Sequence, residues 1–381
     1  MYIMILFLLT FFFLYGGLHL YFFLRLRAAF SLPVGLQITV GPLLLLLLVS
    51  PLLVHMAERQ GYEAVTCLLA YTGYLWMGFI FLFFVVSVCL DLYRLAVFLN
   101  ERIGHQDLSH LFPPARIIFL GPLVIAIILN VYGYYEAMSV RTEHLVIKTT
   151  KLPAQVEKFR IVQISDLHIG MIVRDGRLKR FLAAVEAAAP DVLVSTGDLV
   201  DGQLDNLYEA LSRLKNVPVK YGKFAVTGNH EFFAGVTRAV EFTEKAGFTV
   251  LRGEGVNVAG IVNIAGVDDP AVTRRGEGKQ VREAEFLSSL PPGVFTVLLK
   301  HQPVADPDAE EKFDLQLSGH THRGQIFPFN MVTKFVYYYH SGDFYLPDGA
   351  RLHVSRGTGT WGPPVRFLAP PEITVIDLVR K

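Results

Sequence analysis

Cysteine is almost missing from this 381-residue chain: Cys67 and Cys89 are the two it has, and both lie in one apolar stretch. That excludes a disulfide framework, a CxxC pair and any Cys/His zinc-finger spacing. Charge is scarce before Glu136 and ordinary after it. The formal net charge is +1 and no block of like charge occurs, so no nucleic-acid partner and no charged tail is expected. What the chain has in excess is apolar: 52% hydrophobic residues, 18% charged residues and a mean hydropathy of +0.40, too apolar for an ordinary soluble enzyme. Because the excess sits at the front, the pattern predicts a membrane region, residues 1–140, ahead of a soluble domain.

Residues 3–24 carry no charge and are long enough to cross a bilayer, which takes about 20 apolar residues. Further spans are predicted near residues 34–54, 64–89 and 117–135. Backbone groups in lipid must be paired internally, so the four should form an all-α transmembrane bundle. A cleaved signal peptide is the alternative for the first span. It lacks a basic leading segment and a small-x-small cleavage site, and three spans remain in either case. A charge deep in a span would flag transport; His19 alone comes near that, close to a span end, so the spans read as an anchor. Arg25 and Arg27 in the first loop and Arg94, Arg102 and Arg116 in the third, against Arg59 in the second, put the soluble domain outside the cytoplasm. Arg141, Lys148 and Lys151 after the fourth span argue the other way.

Residues 141–157 read as a linker and first strand, and 158–381 as the soluble domain. Apolar strands are predicted at 159–165, 191–196 and 223–227, with helices at 177–189, 204–214 and 236–246. Later strands fall at 261–267, 295–300, 314–318, 351–355 and 372–378. Alternation in the first half and strands in the second predict an α/β sandwich of mixed sheets with helices outside. Each polar motif sits where one of these strands ends. Asp166-Leu167-His168 follows the strand at 159–165, Gly197-Asp198 that at 191–196, Gly228-Asn229-His230-Glu231 that at 223–227, His301 that at 295–300 and Gly319-His320-Thr321-His322 that at 314–318. Ligands gather at the carboxyl ends of α/β strands, so five distant segments can meet on one rim.

Asp166, His168, Asp198, Asn229, His301, His320 and His322 make seven candidate metal ligands. In an extended chain residues i and i+2 point the same way, which would aim Asp166 and His168 at one ion; a turn could separate His320 from His322. Imidazole, carboxylate and amide without thiolate suit zinc, manganese or iron better than calcium or magnesium. Two such ions activate a hydroxide and clamp the oxygens of an in-line displacement at phosphorus. Arg323 and Arg356 are candidate phosphate contacts. His340 and His353 read as structural. The run FVYYYH at 335–340, with Phe344 and Tyr345, forms an aromatic cluster suited either to a membrane-facing lip or to an ordinary strand or lid core.

The pattern DxH…GDxxD…GNHE…H…GHxH is complete and resembles the calcineurin-like metallophosphoesterase superfamily over residues 158–381. The segment Val354-Ser355-Arg356-Gly357-Thr358-Gly359-Thr360-Trp361-Gly362-Pro363-Pro364-Val365-Arg366, ending Pro370-Pro371-Glu372-Ile373, resembles its YkuE/YaeI-type branch, whose multi-span relatives are called transmembrane proteins with a metallophosphoesterase domain. The resemblance implies a four-layer sandwich and two divalent metals. One would be held by Asp166, His168 and His322, the other by Asn229, His301 and His320, with Asp198 bridging. It implies His230 as the catalytic acid or transition-state stabiliser, and Asp201 and Glu231 as residues that orient ligands. It implies phosphodiester or pyrophosphate hydrolysis at a bacterial inner membrane, with lipid-linked UDP-2,3-diacylglucosamine as one candidate substrate. The rivals are a soluble-nucleotide or nucleic-acid phosphodiesterase and a non-catalytic sensor of a phosphorylated ligand.

Overall fold

The computed structural model describes every residue except Met1, Gln203, Asp205, Asn206 and residues 277–280. It divides into two compact units. One reaches to Tyr134 and takes in Gly362–Val365; the other comprises Tyr135–Trp361 and Arg366–Lys381.

The first unit holds α1 (Tyr2–Phe30), α2 (Val34–Arg59), α3 (Glu63–Gly104) and α4 (Ala115–Glu136). All four are long and apolar enough to cross a membrane. The third departs from expectation. Its apolar run ends at Cys89, yet the helix continues to Gly104, 42 residues in all. At 1.5 Å per residue that is about 60 Å, roughly twice a hydrocarbon core. The continuation carries Asp91 and Arg94, and Asp91 accepts hydrogen bonds from Tyr21 and Arg25 of α1. Helices α2 and α3 approach closely where Gly73 meets Ser50; a Cβ at Gly73 would lie 2.3 Å from the serine Oγ. Phe22, Phe83 and Phe119 interlock edge to face or tilted across α1, α3 and α4, with centroids 4.9–5.6 Å apart. His19 is buried, donates from Nδ1 to the Tyr15 carbonyl (2.8 Å) and accepts at Nε2 from Trp76 (2.9 Å).

The second unit begins with β1 (Arg141–Thr149) and β2 (Lys158–Ile164), then α5 (Asp175–Ala188), β3 (Val192–Ser195), α6 (Tyr208–Asn216), β4 (Lys223–Ala225), α7 (Asn229–Ala234), α8 (Val236–Lys245) and β5 (Phe248–Val250). It continues through β6 (Glu254–Val258), β7 (Val262–Gly266), α9 (Ala271–Arg275), α10 (Glu283–Leu287), β8 (Phe295–Leu299), β9 (Leu315–Ser318), α11 (Phe329–Val336), β10 (Gly342–Tyr345), β11 (Arg351–Val354) and β12 (Glu372–Arg380). The helix expected at 204–214 is seen from Tyr208; residues 203, 205 and 206 lie outside the described residues. The single helix expected at 236–246 is preceded by a separate turn, α7, that carries the GNHE residues.

Two six-stranded sheets form, in the orders β1-β12-β2-β3-β4-β5 and β10-β11-β9-β8-β7-β6. Both are mixed. In the first, β2 to β5 are parallel and β12 runs antiparallel to β2. In the second, β11, β9, β8 and β7 are parallel, and the two edge strands are antiparallel to their neighbours. The two-residue period of a strand divides β2 between two cores. Phe159 and Ile161 join Ile264, Val297, Leu315 and Ile376 in the core between the sheets. Val162 and Ile164 join Phe181, Val185 and Phe242 under α5 and α8. A third core packs Leu298 and Leu352 against Leu287 and Phe313. The result is helix, sheet, sheet, helix. The strand expected in the linker is β1, paired residue for residue with β12 from Arg141–Glu372 to Thr149–Arg380.

Candidate metal centre

The carboxyl ends of β2, β3 and β4 in one sheet, and of β8 and β9 in the other, bring all the motifs together. Three overlapping groups have ligand atoms within 4.8 Å of one another: Asp166, His168 and His322; His168, Asp198 and His230; Asp198, His301 and His320. The local backbone is not the extended chain that the i, i+2 argument assumed. Asp166, His168, Asp198, His320 and His322 all have positive φ, between 47° and 71°. Left-handed backbone is strained for a side chain with a Cβ, and such strain persists only where its surroundings enforce it. Here it bends the chain after β2, β3 and β9 so that these side chains turn into the cluster. Two glycines allow close approaches here: a Cβ at Gly319 would sit 1.9 Å from Ser165 Oγ and 2.3 Å from Asp166 Oδ2, and one at Gly228 would sit 2.2 Å from Asp198 Oδ1.

Ring nitrogens and carboxylates face one another across short gaps. His168 Nε2 lies 3.1 Å from His322 Nε2, which is 3.3 Å from Asp166 Oδ1. His301 Nε2 lies 3.0 Å from His320 Nδ1 and 3.2 Å from Asp198 Oδ2. His301 donates from Nδ1 to the Thr196 carbonyl (2.8 Å), so its neutral form presents a lone pair at Nε2. Asn229 Oδ1 is buried with no hydrogen-bond partner. Facing lone pairs and an orphaned buried amide oxygen are what a cation would satisfy, so the donor set fits divalent metal ions.

The acidities carry the same message. Burial would raise the Asp166 and Asp198 carboxyls, but the imidazoles around them hold both below the usual carboxylate range. Burial lowers His168 to about 3 and His320 to about 4, with neighbouring imidazoles adding to it. Both are neutral imidazoles at neutral pH. Burial opposes charge on His230 as well, yet Asp198, Asp201 and Glu231 outweigh it and raise the imidazole to about 9. Its Nδ1 donates to Asp201 Oδ1 at 2.8 Å.

Glu231 anchors the rim. Its carboxylate accepts from the backbone N–H groups of Asp198 (3.0 Å), Leu199 (2.8 Å), Val200 (3.2 Å) and Gly228 (2.6 Å). Burial and the nearby Asp198 still push its carboxyl up to about 7. Asp201 and Glu231 therefore act through other groups rather than facing the gap between the imidazoles. Arg323 directly follows His322 and is half-buried. Arg356 does not face the cluster. Its guanidinium lies between Glu372 (2.6 Å) and Glu143 (2.5 Å), a charge pairing with a strand 213 residues away that no local motif announces. His353 is structural, bonded to Asp343 (2.7 Å) and Thr374 (3.0 Å).

Two further residues stand at the site, neither given a role by the sequence: Arg366 closes the segment that resembles the YkuE/YaeI-type branch, and Tyr337 lies in the aromatic run. Arg366 is fully buried; it donates to the carbonyls of His322, Arg356 and Gly359, and its Nη2 lies 3.1 Å from His322 Nδ1. The Tyr337 hydroxyl is 2.8 Å from His320 Nε2. Tyr337 stood inside the aromatic run, where nothing distinguished it from its neighbours.

Comparison with known proteins agrees with this geometry. The model of the calcineurin-like phosphoesterase family matches residues 159–324. An uncharacterized metallophosphoesterase of Aquifex aeolicus is 38% identical over 260 residues, 68% of this chain and 99% of that protein. The uncharacterized metallophosphoesterase YkuE of Bacillus subtilis is 32% identical over 65% of this chain and 89% of its own length. The transmembrane protein with metallophosphoesterase domain of Danio rerio is 31% identical over 67% of this chain and 61% of that protein. The family uses divalent metals, and a buried His/Asp cluster able to hold them stands at the strand ends. With its two mixed sheets and four membrane-length helices, the chain belongs to the calcineurin-like metallophosphoesterases and is a phosphoric ester hydrolase.

Proposed function

We propose that the cluster is a dinuclear centre that hydrolyses phosphodiester or pyrophosphate bonds. Asp166, His168 and His322 would hold one divalent ion, Asn229, His301 and His320 the other, and Asp198 would lie between them. The observation that carries this is the set of three ligand groups sharing His168 and Asp198 within 4.8 Å. Manganese, zinc or iron fits the donor types. When bound, the ions supply Lewis acidity toward phosphoryl oxygens and acidify water.

The chain's own residues do the rest. Asp201 accepts the His230 Nδ1 proton, which leaves the Nε2 proton of the charged ring for the departing oxygen. The carboxylates that raise His230 keep that proton in place at neutral pH. Glu231 holds the Asp198 and Gly228 turns together through four amides, so the bridging carboxylate keeps its aim. Arg323 is the remaining candidate for a phosphate contact.

For the substrate we favour a lipid-linked phosphodiester or pyrophosphate such as UDP-2,3-diacylglucosamine, because the hydrolase shares its chain with four membrane-length helices. The location would be a bacterial inner membrane. The loop charges favour a catalytic unit outside the cytoplasm, whereas a UDP-linked lipid is made on the cytoplasmic face. A reporter fused after Lys381 therefore separates the two: an exterior signal removes the UDP-lipid from consideration. The enzymatic test is hydrolysis of bis-p-nitrophenyl phosphate by metal-stripped protein resupplied with manganese or zinc, with bound metal measured in parallel. Metal-restored cleavage, lost together with the metal in Asp198→Asn, supports the centre. Intact metal-dependent turnover in Asp198→Asn refutes it.

A further inference from the structure

Helix α11 has its amphipathicity inside out. Asn330 and Thr333 are half-buried, while Phe329, Met331, Val332, Phe335 and Val336 are exposed and no residue of the helix is buried. Phe335 is 93% exposed, and Tyr338, just past the helix end, is 83% exposed. A helix of a water-soluble domain turns its apolar stripe inward. A contiguous apolar surface turned outward marks a place that something covers. The strand or lid core allowed by the sequence is not what forms: the run 335–340 is the last turn of a helix and the coil after it.

This surface adjoins the metal cluster. Tyr337, between the exposed Val336 and Tyr338, reaches inward to within 2.8 Å of His320 Nε2. One backbone segment therefore presents an apolar side chain outward and a hydroxyl to a candidate ligand.

We propose that α11 inserts its apolar face into the headgroup–acyl boundary of a lipid bilayer. Three observations select this occupant. The rings and aliphatic side chains protrude, which suits insertion at an interface more than capture in a groove. Lys334 and Tyr338 add a cation and a polar-tipped ring, the groups that favour headgroup level. The same chain carries four helices of membrane length, so a bilayer is tethered to this surface at high effective concentration. The inference deepens the functional reading above and rests on it for its consequence: the phosphoester of an amphiphile would meet the cluster with its acyl chains still in the membrane.

The experiment uses the full chain in nanodiscs containing phosphatidylglycerol. A photo-reactive p-benzoylphenylalanine is placed at position 335, and separately at position 208, where Tyr208 is an aromatic residue 81% exposed on α6. After irradiation, a phospholipid adduct on the peptide containing position 335 and none at 208 is the expected result. A cross-link from 335 to a second copy of the chain, no adduct, or equal lipid labelling at both positions overturns the proposal. The double variant Phe335→Ser, Val336→Ser is then assayed on two esters. Its kcat/KM should fall about tenfold on a p-nitrophenyl ester of phosphatidic acid in the disc, and stay unchanged on bis-p-nitrophenyl phosphate. Equal loss on both, or on neither, counts against the surface. If the parent chain cleaves neither ester, the phosphodiester reading fails, while the labelling pattern still decides whether α11 meets lipid.

Discussion

The two units differ in how they place their apolar side chains and in how far they reach to satisfy buried polar groups. In the helical unit the apolar side chains face outward, with Phe13 and Ile103 each 78% exposed, and several buried polar groups bond within one turn of helix, although His19 also accepts from Trp76 and Asn130 donates to the Leu75 carbonyl across 55 residues. His19 bonds the Tyr15 carbonyl, Ser50 that of Leu47 and Thr66 that of Tyr62, each three or four residues back on the same helix. In the catalytic unit the apolar side chains fill three cores, and the buried polar groups are satisfied from far away. Gln163 donates to the Ser318 carbonyl across 155 residues, and His301 to that of Thr196 across 105. Local satisfaction lets a helix survive alone in lipid. Distant satisfaction means that the metal cluster exists only when the whole unit is folded.

That contrast can be attacked from its most sensitive end. Asp198→Asn removes the carboxylate shared by two ligand groups, and should abolish metal content and turnover together, read by elemental analysis and diester hydrolysis. His230→Ala should leave metal content unchanged and lower kcat by about 10²–10⁴, the usual worth of a general acid. Glu231→Ala strands four backbone amides in a buried rim. It should cost the catalytic unit about 3–5 kcal/mol in a denaturant melt of the full chain. Retained stability in that variant would show that the rim does not depend on its distant partner.

A gentler probe is pH. Burial opposes charge on His353, but its bond to Asp343 and the nearby Glu372 carboxylate raise it from 6.5 to about 9. Its protonated form thus stabilises the fold. That contribution, on the order of 3 kcal/mol, is complete below about pH 6.5 and fades as pH rises through about 9. His353→Gln should flatten the stability profile across that window, with little change below it in slope. The smallest effect is expected in the helical unit. Gly73→Val forces α2 from α3 at Ser50 and should cost about 1–3 kcal/mol of helix packing, with kcat on a soluble diester unchanged.

Sequence reading reached the features that are local. Apolar runs announced four spans, and five strand ends announced the cluster, because strand periodicity and turn glycines are encoded nearby. It missed what long separation creates. The full length of α3 was hidden because hydropathy fails at Asp91 although the backbone stays helical. The aim of Asp166 and His168 was assigned to extended chain, whereas left-handed residues bend the chain there and again after β3 and β9. Arg356 looked like an anion contact, whereas Glu143 and Glu372 stand beside it, and Arg366, at the end of the same segment, had no role assigned to it. Which arginine faces an anion depends on what the fold places next to it.

The pairing of β1 with β12 also has a consequence for assembly in time. Arg141 is synthesised 231 residues before Glu372, its neighbour in the sheet. At about 5–20 residues per second, β1 spends on the order of tens of seconds without a partner. The strand that separates β1 from β2 is the last described one to be made. A nascent chain halted before residue 372 would thus hold finished helices and every metal-cluster motif, yet its first sheet would lack its second strand. Such a chain offers unpaired strand edges to its neighbours, so stalled synthesis is the stage at which this protein is most exposed to misassembly.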